Sequence, residues 1–137
     1  MADAKIYVQV NKFAVKDIFD SKYKAKAITA MQTAAENAIK GKLTTDAPKE
    51  KGAKGWSLDG SLVSLAPDKA GKKLEAKVSM SISTWPGKSI KAMPSGTAAL
   101  PIPSADKIDA GDVEAVAEGA VVSAMKSATK YMESTAP

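Results

Sequence analysis

KLEAKVSMSISTW, residues 73–85, alternates Leu74, Ala76, Val78, Met80 and Ile82 with Lys73, Glu75, Lys77, Ser79, Ser81 and Ser83. Successive side chains on a strand point to opposite faces, so a period of two this long marks a strand with one buried and one wet face. The expectation is the central strand of an antiparallel sheet, whose apolar face is covered by helices from either side in sequence.

On its N-terminal side lies GWSLDGSLVSLA, residues 55–66, a second strand with Trp56, Leu58, Leu62 and Leu65 as core contributors. Gly60 interrupts the alternation there and marks a bulge or a close backbone approach. Pro67-Asp68-Lys69-Ala70-Gly71 supplies turn chemistry, so the two strands form an antiparallel hairpin. On the C-terminal side, Pro86-Gly87 reads as a tight turn with Pro at its first corner and Gly at its second. Lys88 to Ala92 then begins a third partner. Met93-Pro94-Ser95-Gly96 weakens it, because proline belongs at a sheet edge or a bulge, and Thr97 to Leu100 resumes the pairing.

Two Ala-rich segments flank this sheet. Residues 22–40 repeat Tyr23, Ala27, Ala30 or Met31, Ala34, Ala38 and Ile39 at helical spacing, after the N-cap candidates Asp20 and Ser21 and before a C-terminal Gly41. Asp109 caps a last helix of about 20 residues, whose stripe is Val113, Val116, Ala117, Ala120, Val121, Ala124, Ala128 and Tyr131. The first strand is KIYVQVNK, residues 5–12, and Phe13 to Phe19 is an irregular segment tucked against the core. Residues 43–54 read as a polar surface loop. The whole is expected to be α+β, a single domain over residues 1–137. It is a two-layer sandwich of order β-α-β-β-β-α, a mainly antiparallel sheet with two long helices packed on one face.

Composition removes more functions than it offers. The 137 residues contain no Cys and no His, which takes away thiolate chemistry, the commonest general base and the commonest metal ligand. All 20 basic residues are Lys, so there are no guanidinium forks to read guanine, phosphate or carboxylate. Sequence-specific nucleic-acid binding is not expected, and Lys alone would bind polyanions weakly and in a salt-dependent way. The formal charge of +5 is uneven, with 17 Lys against 9 acids up to residue 91 and 3 against 6 afterwards.

No nucleotide-binding or α/β-hydrolase motif occurs. Asp17 with Asp20, Asp106 with Asp109, and Asp112 with Glu114 are paired carboxylates, but each lies where capping explains it. Asp106, Asp109 and Asp112 lack the Gly and terminal Glu of a calcium loop. No enzyme activity, cofactor or metal is expected. The candidate interaction residues are Trp85 and Lys88, beside the second hairpin turn, and Lys49, Lys51 and Lys54, the densest basic spot outside the first helix. With even-numbered residues of the central strand facing the core, Trp85 falls on the opposite face. There it either anchors a partner or shields a neighbouring strand.

The stretch from Trp56 to Leu100 contains LDGSLVSLAP, a charged turn, then LEAKVSMSISTWPGKSIKAMPSGTA. With an Ala-rich helix before it and another helix after, this resembles small bacterial envelope domains. The types are the TolB N-terminal domain and lipoproteins that activate penicillin-binding proteins or assist secretion. The resemblance implies a non-catalytic domain binding a protein partner or an envelope polymer. The chain departs from it in having no lipobox Cys, and no partner-binding residue carries over. Met1-Ala2-Asp3-Ala4 looks like the mature end left by A-x-A cleavage with an initiator Met in front, which makes the expected location periplasmic or secreted. A cytoplasmic start, where Met-Ala is also common, is the alternative. A self-assembling subunit of a virion or fibre and a Lys-driven polyanion binder are the alternative functions. No run of 18 apolar residues is present to span a membrane.

Overall fold

A computed structural model describes residues 5–49, 52–135 and 137. Its elements are β1 (Ile6–Val10), β2 (Ala14–Val15), α1 (Lys24–Ala38), β3 (Leu43–Thr44), β4 (Gly55–Pro67), β5 (Lys73–Trp85), β6 (Ile90–Ala92), β7 (Ser95–Pro101) and α2 (Ala110–Ser134). The sheet runs β3-β1-β4-β5-β6, with β2 also on β4 and β7 also on β5. The stretch from Lys73 to Trp85 is the strand expected of it, paired on both sides. β4 lies along one side, and β6 and β7 share the other.

The sheet is antiparallel around β5, as expected, but mixed as a whole, because the pairing on the β1 side is parallel. The pairings β4–β5, β5–β6 and β5–β7 are antiparallel. β1 runs parallel to β4 and to β3, and β2 runs parallel to β4. The cause is the connection: β1, α1 and β4 form a strand-helix-strand crossover, and a helix laid back across a sheet returns the chain to its starting end. The β-α-β-β-β-α order is thus embellished. β2 arises in the segment from Phe13 to Phe19, β3 in the segment read as a loop, and the third partner of the hairpin divides at Met93-Pro94 into β6 and β7.

Both helices cover the face built by Val8, Leu58, Leu62, Leu74, Val78, Met80 and Ile82, all essentially inaccessible to solvent. From α1 come Ala27, Met31, Ala34 and Ala35; from α2 come Val113, Val116, Ala117, Ala120, Val121, Ala124, Met125, Ala128 and Met132. Small residues let the helices lie close. The closest approach is at Gly96 in β7, where a built Cβ would sit 2.3 Å from the Ala120 carbonyl oxygen and 2.5 Å from the Ala124 nitrogen. Gly60 is a close approach too, with the Phe13 ring 2.3 Å from where its Cβ would be. The irregularity in β4 falls between Leu62 and Ser64, which restores Leu65 to the inner face.

The caps follow the sequence. Asp109 and Asp112 form a reciprocal capping box: the Asp112 N–H donates to Asp109 Oδ1 at 2.9 Å and the Asp109 N–H to Asp112 Oδ2 at 3.1 Å. Asp20 accepts from the Lys22 N–H at 3.1 Å and opens a short 3-10 turn, Ser21–Tyr23, ahead of α1. The last helix is 25 residues long rather than about 20, since it continues past Tyr131 to Ser134. After β5, the Trp85–Pro86 peptide is cis and the positive φ falls on Lys88 rather than Gly87. The turn expected at Pro86-Gly87 is therefore of another type. The Thr84 hydroxyl oxygen holds it by accepting from the Ser89 N–H at 3.0 Å.

Candidate interaction surface

The sheet face turned away from the helices carries small polar side chains. Ser57 lies opposite Ser83, Asp59 opposite Ser81, and Ser61 opposite Ser79, which in turn lies opposite Ser95. This face is not uniformly wet. Ser57 and Ser83 are only 1% and 5% exposed. The Asn11 amide donates to Ser57 Oγ at 2.8 Å and to Asp59 Oδ1 at 3.0 Å, tying the end of β1 across β4.

Trp85 sits on this face, as the parity of β5 requires. Tyr7, Gly55 and Trp85 form one row across β1, β4 and β5. A side chain at Gly55 would meet Tyr7 Cβ at 3.0 Å, so glycine leaves open the ground between the two aromatics. The Tyr7 and Trp85 rings close over it edge to face, with centroids 4.7 Å apart and planes at 76°. Edge-to-face contact sets the positive rim of one ring against the negative face of the other. Trp85 is half-buried in consequence, and shielding Tyr7 is one demonstrable part of what it does. Trp56 belongs to the other face, where its indole N–H donates to the Met132 carbonyl at 3.3 Å and its ring meets Tyr131 at 5.6 Å.

The other candidate residues divide. Lys88 is exposed in the turn directly after Trp85, and Lys54 is exposed immediately before Gly55, so both flank the aromatic row. Lys49 is exposed in the β3–β4 connection. Lys51 lies outside the described residues. Two further lysines that sequence reading passed over stand at the same end of the sheet. Lys5 precedes β1, whose Ile6 pairs with Leu43, and Lys42 precedes that Leu43. The signal was available in principle: each lysine abuts a strand end. Which strand ends coincide was hidden until the parallel pairing of β1 with β3 and β4 was in place.

The free edge is the other exposed feature. β7 is seven residues long, SGTAALP, and contains no charged residue. One side is paired to β5, and the other has no strand partner among the described residues. Beside it, Ile90 is 61% and Met93 69% exposed, the largest exposures among the big apolar side chains. A groove of about 310 Å³ also runs between α1 and α2, lined in part by Ala34, Ala38, Val122 and Met125. Among the described residues there is no group of three or more acidic side chains placed to share a metal ion. No helix among them is long and apolar enough to cross a membrane.

No protein-family model and no curated protein matches the chain. Solved structures do resemble it in fold. A DUF330 protein from Xanthomonas campestris superposes with a TM-score of 0.60 at 14% identity, over 92% of this chain and 82% of that one. The PelC dodecamer from Paraburkholderia phytofirmans gives 0.52 at 11% identity, over 86% and 84%. A candidate lipoprotein from Caulobacter crescentus gives 0.51 at 9% identity, over 93% and 88%. None of these three is described as a TolB N-terminal or penicillin-binding-protein activator domain. The likeness that holds is the coarser one, to the fold of small α+β domains that include lipoproteins.

Proposed function

We propose that this chain is a non-enzymatic extracytoplasmic domain that binds a protein partner by adding a strand to β7. The observation that carries it is the uncharged, seven-residue free edge. A free edge is a template for pairing, and sheets that must stay alone blunt it with lysine, proline, strong twist or cover. Here the prolines stand only at the ends, Pro94 just before β7 and Pro101 as its last residue, with no lysine or proline between them. Ile90 and Met93 offer apolar anchorage next to it. Main-chain bonds would supply affinity and the flanking side chains specificity. The location outside the cytoplasm is supported by the fold shared with a candidate lipoprotein. The absence of His, Cys and Arg supports a binding role over a catalytic one.

The test is a photo-cross-linking residue placed at Thr97 in the source cell, with a second at exposed Thr33 on α1 as reference. Adducts specific to Thr97, lost when Ala99 is replaced by Lys, are expected. Equal adducts at both positions, or none at Thr97, would overturn the reading. Fractionation of the source cell should place the protein outside the cytoplasm; a cytoplasmic fraction holding all of it would refute export.

A second reading, self-association, is favoured by the fold shared with a protein solved as a dodecamer. Light scattering over a range of concentrations separates the two. A mass that grows with concentration supports self-association, and a constant monomer mass excludes it.

A further inference from the structure

We infer that the end of the sheet holding Tyr7 and Trp85 docks on an anionic phospholipid bilayer. Four exposed lysines, Lys5, Lys42, Lys54 and Lys88, flank the aligned ends of β1, β3, β4 and β5. Neighbouring strands lie about 4.8 Å apart, so these four ends span roughly 14 Å, a line of positive charge across one end of the molecule. Described carboxylates near this end are Asp46, just past β3, Glu36, which lines a cavity with Tyr7 and Thr45, and Glu133. Glu133 follows Met132, which the Trp56 indole ties to the start of β4. Among the described residues the one ion pair is Lys22 with Asp20, elsewhere on the molecule. The opposite end is mixed: Asp68, Asp106, Asp109 and Asp112 lie there among Lys69, Lys72, Lys73 and Lys107.

Three features favour a bilayer over a single bound polyanion. The cations are all Lys, compact point charges without the planar fork that fixes one carboxylate or phosphate. They suit many mobile headgroups better than one ligand in a fixed pose. They line an end of the sheet and not a cleft, so no wall encloses a polymer. The same end carries half-buried Trp85 beside Tyr7, exposed Pro86 and Gly87, and Ile90 at 61% exposure. Amphipathic aromatic rings and an exposed aliphatic beside lysines are the residues that settle at a headgroup interface. An anionic surface attracts each nearby Lys within about a Debye length, 8 Å at physiological salt.

The experiment is co-sedimentation of the full chain with vesicles of phosphatidylcholine and phosphatidylglycerol in equal parts, against phosphatidylcholine alone. Binding to the mixed vesicles only, weakening with salt, is expected. Each of Lys54→Gln and Lys88→Gln should lower partitioning about fivefold, the equivalent of about 1 kcal/mol per surface cation. Lys69→Gln and Lys72→Gln, at the opposite end, should leave it unchanged. Trp85 emission should shift to the blue on binding; Trp56 is already buried, and Trp85→Phe should abolish the shift. Three outcomes would each overturn the inference. They are no binding to the mixed vesicles, equal loss from both pairs of variants, and retention on heparin without vesicle binding. The edge β7 is not involved, so failure here leaves the proposed strand addition standing and success does not require it.

Discussion

Gly96 shows how much one missing methyl group decides. Its Cα faces the backbone of α2 so closely that Gly96→Ala must push the strand or the helix aside. Overpacking of this kind costs about 1–3 kcal/mol, and a fall in the denaturation midpoint of that order is expected. A midpoint equal to the parent's would mean that β7 does not lie on α2 as described. Asp109→Ala removes the reciprocal cap of α2 and should cost about 1 kcal/mol, read in the same way. Asp68 gives the pH dependence. The Lys72 N–H at 2.9 Å, followed by those of Lys73 and Gly71, holds its carboxyl below the ordinary carboxylate value. A depressed carboxyl contributes stability above its unfolded value, near 4, and loses it as pH falls through the lower folded value. Asp68→Asn should therefore flatten the acid limb of the stability curve and leave the neutral region with a small, pH-independent change. A limb as steep as the parent's would refute this.

At the scale of the element, alternation and helical period were legible because each is local. β5 could be read residue for residue, since a period of two over 13 positions admits one face assignment. α2 was legible through its capping Asp109 and its stripe, yet its end was not, because the apolar Met132 carries the stripe a further turn. β2 and β3 escaped notice for the opposite reason. Two residues have no period, and Ala14-Val15 and Leu43-Thr44 become strands only because β4 and β1 present backbone partners to them. The interaction surface was half legible. Trp85 and Lys88 share one turn in the sequence, while Lys5 and Lys42 joined them only through parallel pairing. Among elements, the β4–β5 hairpin is the most local large contact in the sheet. In native-state hydrogen exchange its amides should be protected longest, and those of β2 and β3 least; β2 or β3 outlasting β5 would contradict this.

The whole molecule is a sheet with one face closed and one open, and its two borders are unequal. On one side the border steps down through β1, β3 and β2, the last two being two residues each. On the other it is β6, three residues that include Lys91, followed by β7, seven residues without a charge. Unequal borders limit stoichiometry. A fibre built by strand addition needs a donor border and an acceptor border of comparable length on every copy, whereas among the described residues only one is long enough to serve. Two copies joined border to border about a two-fold axis would use both long edges and leave only stepped ones outside. Any growth beyond a pair must therefore come from a surface other than the sheet's edge, so strand addition in this molecule ends after a single event.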